Sequence, residues 1–163
     1  MYNPCCELAE DPAAPPVCPT NQRVGRPVDT LTIKALLNQS LTRISPAIAY
    51  RFCLAPDCTT VYYRADGQQV FSEADLREQV YQKHPTSDEA LICYCFQHSV
   101  GEIRAEFERT GGSTVVDHIT AGIQAGQCAC DIRNPQGSCC LGQVRSLVHN
   151  LTVQASRGAD QRD

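Results

Sequence analysis

Eleven cysteines stand out in a sequence of 163 residues that has no Trp and only four Phe with which to build a core. Six of them fall in one stretch, as Cys93-Tyr94-Cys95, Cys128-Ala129-Cys130 and Cys139-Cys140. The other five, Cys5, Cys6, Cys18, Cys53 and Cys58, all precede residue 60. Thiolates are soft ligands that suit zinc, Cu(I) and iron–sulfur clusters, so this bipartite map predicts two separate metal sites. A disulfide framework is the rival reading. The odd cysteine total, the adjacent Cys5-Cys6 and Cys139-Cys140 pairs, and an N-terminus without the charged-then-apolar layout of an export signal all count against it.

The elements that must position the C-terminal thiols are short helices. Ser99 with Glu102 forms a capping box, and Val100, Ile103 and Phe107 recur at helical spacing until Gly111-Gly112. Ser113 is expected to cap a second helix, with Val116, Ile119 and Ile123 on one face and Gly126 at its end. Ser138 is expected to cap a third, with Leu141, Val144, Val148 and Leu151 on its buried stripe. Cys93 and Cys95 then precede the first helix, Cys128 follows the second and Cys140 opens the third. Three helix ends can thus present four thiolates to one place. Helix N-termini offer unpaired N–H groups that stabilise a negatively charged two-iron cluster. Paired zinc ligands ordinarily stand two to four residues apart, whereas Cys93 and Cys95 have one residue between them, which favours a [2Fe–2S] cluster over zinc.

The first half reads as β-rich. Residues 1 to 26 are loop, and Val28–Ile33 is β-prone, followed by a helical turn at Lys34–Leu37. Ala49–Cys53 and Thr59–Tyr63 are strands flanking the turn Leu54-Ala55-Pro56-Asp57, so Cys53 and Cys58 bracket a metal knuckle. Asp66-Gly67 signals a hairpin into Val70-Phe71, and Ser72 with Asp75 opens a short helix through Val80. A closed structural zinc needs four ligands, and Cys18-Pro19 supplies one upstream. The polar segment Lys83–Asp88 marks a boundary. The expected class is α+β: a β-rich zinc-knuckle domain over 1–85, a helical [2Fe–2S] domain over 86–154, and a disordered tail over 155–163.

A formal charge of -4 with scattered arginines argues against nucleic acid as a partner. No apolar run is long enough to span a membrane, and a cytoplasmic address is expected. No Ser-His-Asp arrangement, phosphate loop or carboxylate pair stands out, so electron transfer is expected rather than substrate conversion. His84, His98, His118 and His149 lack paired spacing; His98 reads as a helix-entry residue near Cys95, and Tyr94 as cover.

The Cys-x-Cys pair, the helix pair, Gly126-Gln127-Cys128 and Cys140-Leu141-Gly142-Gln143-Val144 resemble the bacterioferritin-associated ferredoxin type of [2Fe–2S] domain. That family joins its last two ligands as Cys-x-x-Cys, whereas Ala129–Cys139 is inserted here. The insertion, and the pattern Cys18-Pro19 … Phe52-Cys53-x4-Cys58-x-x-Val61-Tyr62, resemble the N-terminal region of CopZ-type copper chaperones over most of residues 18–150. This resemblance implies a [2Fe–2S] cluster on Cys93, Cys95, Cys128 and Cys140, with Cys130 and Cys139 as alternatives to the last two. It also implies zinc on Cys18, Cys53 and Cys58, with Cys5 (or Cys6) as fourth ligand. The implied role is one-electron transfer or chaperone assistance in metal homeostasis, with copper as the metal, beside a redox or metal-transfer protein partner. A structural interaction module and a redox or metal sensor are the alternatives. Met1 is the single methionine, so thioether copper ligation is excluded.

Overall fold

A computed structural model describes residues 15–160 of the chain. Its first half is an antiparallel sheet in the order β1 (Arg26–Val28), β2 (Tyr50–Phe52), β3 (Thr60–Arg64), β4 (Val70–Ser72). Between β1 and β2 lies α1 (Thr30–Leu36), in a stretch whose composition points to a strand. Asp29 decides the matter: its Oδ1 accepts the Leu31 N–H at 2.7 Å, giving the backbone a helix start that β-branched propensity does not outweigh. The Ser72/Asp75 capping box is present but opens only a 3₁₀ turn, Glu73–Asp75. A helix through Val80 does not form there. The Val80 N–H instead donates to the Glu73 carboxylate.

Behind the sheet, α1 delivers Ile33 and Leu36 to a core completed by Tyr50, Phe52, Val61, Tyr62 and Phe71. Tyrosines thus supply the bulk that a chain poor in Phe and Trp needs. Each buried hydroxyl finds a partner: Tyr62 donates to the Pro135 carbonyl at 2.5 Å, and Tyr63 to that of Pro16 at 2.8 Å.

The second half opens with a hairpin of β5 (Leu91–Cys93) and β6 (His98–Ser99). Then come α2 (Val100–Thr110) and α3 (Val115–Gln124). The Ser99/Glu102 capping box starts α2 as expected, and Gly111 at φ 77° ends it in the left-handed conformation. Ser113 lies one position outside the cap of α3, which is Thr114, yet its Oγ still accepts the Val115 N–H. A four-residue helix, α4 (Cys130–Arg133), follows. The long α5 (Leu141–Asp160) runs through much of the expected disordered tail. Ser138 does not cap α5; the Leu141 N–H points to the Cys139 sulfur at 3.5 Å. Val100, Ile103, Val115, Ile119 and Val144 form the second core, and Cys93 and Cys140 are part of it.

Glu106 ties the α2–α3 turn, accepting from the Thr114 N–H and hydroxyl and from the Ser113 hydroxyl. These bonds, Thr114's first, hold its carboxyl below the usual range. A depressed folded-state pKa adds stability that is present above the unfolded value and lost as pH falls through the folded one. The Thr114 amide resonance should therefore titrate below the ordinary Glu range. In Glu106→Gln that titration should vanish.

The inserted segment is wired by polar side chains rather than by apolar packing. Buried Asn134 donates to the Ser138 carbonyl, and buried Gln136 to the carbonyls of Ser138 and Cys139. The segment docks on α1, where the Thr32 hydroxyl donates to the Asp131 carbonyl at 2.6 Å. Gly137 makes this contact possible. Its φ is 70°, and a Cβ there would stand 2.8 Å from Thr32 Oγ1. Gly137→Ala should cost about 2–4 kcal/mol, the sum of a left-handed penalty and local overpacking. The shift of a urea-unfolding midpoint checks this.

Candidate metal centres

Two groups of thiols come together, and the same local device builds both. At Cys18, the backbone N–H groups of Thr20 and Asn21 point at the sulfur, as does that of Ala55 at Cys53. At Cys93, the donors are the N–H groups of Cys95 and Phe96. Each is a turn that aims backbone donors two or three residues ahead at a sulfur, which favours the thiolate.

In the first group, Cys18, Cys53 and Cys58 are buried and their sulfurs lie within 4.8 Å of one another. Cys18 and Cys58 are 3.9 Å apart. Thiolates at about 2.3 Å from a tetrahedral ion stand about 3.8 Å apart, so the spacing fits zinc. The Cys18 N–H donates to the Arg23 carbonyl, closing one loop, and the Cys58 N–H donates to the Ala55 carbonyl, closing the knuckle. Asn21 Nδ2 donates to the Cys53 sulfur at 3.4 Å, and Lys83 Nζ to the Ala55 carbonyl at 2.7 Å, which sets a cation beside the thiols. Burial raises the Cys18 thiol, but the Thr20 and Asn21 N–H groups with Cys58 and Cys53 outweigh it, and the net shift is downward. Burial dominates at Cys53, which is pushed up. Cys5 and Cys6 lie outside the described residues.

The second group holds five thiols. Cys95, Cys128 and Cys130 have their sulfurs within 4.8 Å of one another. Cys130 stands 3.6 Å from Cys95 and 3.9 Å from Cys128. Cys140, buried at the head of α5, lies beside Cys130 and Cys93. Cys140's thiol holds the Cys130 thiolate down to about 5 and, with the Phe96 N–H, Cys93 to about 7. Cys140 itself is pushed up by the neighbouring Cys130 and Cys93 sulfurs and then by burial. Burial takes Cys95 up to about 12, despite the Ala129 N–H at 3.2 Å from its sulfur.

Of the four expected thiols, Cys95 and Cys128 are grouped with Cys130, and Cys93 and Cys140 lie beside Cys130. Cys139 is exposed. Tyr94 is more than cover: its hydroxyl accepts the Tyr81 N–H and donates to the Gln79 carbonyl at 2.6 Å, pinning the Cys93–Cys95 loop to the segment that joins the two halves.

Residues 15–77 match the family model of the CopZ zinc binding domain. The thiols of the first group all fall inside that CopZ match. Over a longer span, the chain is similar to the solved structure described as the X-ray structure of the Archaeoglobus fulgidus CopZ N-terminal domain. Identity is 26%, the TM-score is 0.65, and the match covers 80% of this chain and 96% of that one. That CopZ likeness extends well past residue 77 and bears out the α+β class. No curated protein gives a significant match. No helix among the described residues is long and apolar enough to cross a membrane.

Sequence reasoning named Cys130 only as an alternative to Cys128, and it missed one contact altogether. Cys130 is the central thiol of the second group because α4, too short to show periodicity, turns it inward. His98 and His118 meet, Nε2 to Nδ1 at 2.7 Å, although 20 residues separate them. The readable signal is the α2–α3 hairpin, which runs α3 back along α2, so that Thr114 meets Glu106 and His118 meets His98.

Proposed function

We propose that the chain is a two-centre metal protein of metal homeostasis, in which a structural zinc braces the sheet and a [2Fe–2S] cluster occupies the second thiol group. The observation that carries the second half is the convergence of five thiols, with backbone N–H donors, at the junction of β5, α4 and α5. Cys95 and Cys130 stand 3.6 Å apart with Cys93 and Cys140 beside them, and these four sulfurs would hold the two irons. The cluster, when bound, supplies a reversible one-electron couple. The protein's own work is to bind it through these sulfurs, to aim N–H groups at them, and to exclude water with Val100, Ile103, Ile119 and Val144. The likeness to a CopZ N-terminal domain supports copper as the metal handled, and a redox or metal-transfer protein as the partner. Cys5 completes the zinc set in this reading.

Anaerobically purified protein should be coloured. It should carry iron and acid-labile sulfide in equal amounts beside zinc, and give a paramagnetic signal on one-electron reduction. Colourless protein with zinc alone would reject the cluster.

A further inference from the structure

Outside the thiol groups, the described residues hold one close pair of borderline metal ligands. His98 on β6 and His118 on α3 face each other through ring nitrogens 2.7 Å apart, with the rings edge-on at 87°. They line a depression of about 160 Å³ with Glu102 and Glu106. His118 is exposed and His98 half-buried. The Phe96 ring, 5.8 Å from that of His118 and seated against Gly122 of α3, holds the pair in place.

Two nitrogens so disposed share one proton, because protonating both would set two N–H groups against each other. We propose that a divalent cation of the late first row, of the Cu(II) and Ni(II) kind, replaces that proton and is bound by His98 and His118. Imidazoles coordinating at about 2.0–2.1 Å in a right-angled arrangement stand about 2.9 Å apart, so the nitrogens are already near that spacing, and each ring turns to aim its lone pair at the ion instead of at the other ring. Burial first, and then His118, hold His98 below its ordinary range, against the opposing pull of Glu102 and Glu106. Coordination requires the neutral ring. Glu102 uses Oε2 for the Ser99 cap and Glu106 uses both oxygens on the α3 cap, so they contribute negative charge while water completes the coordination. The remaining histidines differ: His84 is engaged with Glu73 at 2.7 Å, and His149 lies on α5. The cysteine groups recruit soft ions, whereas this pair takes a borderline one.

The test is a calorimetric titration of the as-isolated, metal-loaded protein with Ni(II). His98→Gln and His118→Gln should each weaken binding by at least about tenfold, while His149→Gln leaves it unchanged. Zinc and iron contents should stay at the wild-type level in all three. Equal affinity in the wild type and both pair variants overturns the proposal. In wild-type protein, substoichiometric Ni(II) should broaden the His98 and His118 ring protons before any others. Broadening that begins at His84, His149 or the chain ends overturns it equally, whatever the variants do.

Discussion

Cys58→Ala should release the zinc and loosen the first half without dissolving it. Structural zinc contributes about 10–16 kcal/mol in zinc-finger peptides that have no other core. Here Tyr50, Phe52, Val61, Tyr62 and Phe71 seal a sheet core that does not include the thiols. The thiols close a separate small cluster with Ala55 and Tyr63. The cost should therefore be a fraction of the peptide value, on the order of 5 kcal/mol. It should fall on the Cys18–Arg23 loop and the Cys53–Cys58 knuckle. Amide exchange separates the two regions: the Cys18 and Cys58 N–H groups should lose protection, while those of Phe52 and Tyr62 keep most of theirs. Chelation of the wild-type zinc should reproduce the pattern. A Cys58→Ala protein with full zinc content and an unchanged urea midpoint would show that these three sulfurs do not hold the ion.

Legibility in the sequence followed the range of the interaction that fixed each feature. Capping boxes and the Asp66-Gly67 turn act over three or four residues, and the Ser99/Glu102 box and β4 lie where those signals put them. Knuckle cysteines share this locality, since the donors for Cys18 and Cys53 come from the next three residues. The errors have equally physical causes. At Val28–Ile33, β propensity, a weak preference, lost to the Asp29 cap. At 155–160, the polar composition of α5 suggested disorder, but a helix already anchored by Val144 propagates outward at little cost per residue. The placement of Cys130 was beyond local reading. It depends on Asn134, Gln136 and Gly137 docking the insertion against α1, a contact between residues about a hundred positions apart that no periodicity reports. The His98–His118 meeting spans only 20 residues and follows from the α2–α3 hairpin, whose stop at Gly111-Gly112 is legible in the sequence.

Cys130 is where that long-range placement has its largest expected consequence. The proposed two-iron cluster would take four of the five gathered thiols, and geometry ranks them. Cys130 is buried, within 3.6 Å of Cys95 and beside Cys140, while Cys128 is half-exposed and at the edge. The Cys130 N–H lowers the Cys128 thiol, but burial and the nearby Cys130 charge outweigh it and raise it, so Cys128 ionises less readily than its neighbour. Cys130→Ala should therefore lose iron affinity by more than the ~10–100-fold typical of losing an outer hydrogen-bond partner of a metal ligand. Cys128→Ala should keep most of its iron and its visible spectrum. Alkylation of the native holoprotein gives an independent reading: Cys128 and Cys139 should be labelled, and Cys93, Cys95, Cys130 and Cys140 protected. The reverse result, iron lost in Cys128→Ala and retained in Cys130→Ala with Cys130 alkylated, would return Cys128 to the ligand set. It would then make Cys130 a buried thiol held against the cluster by α4.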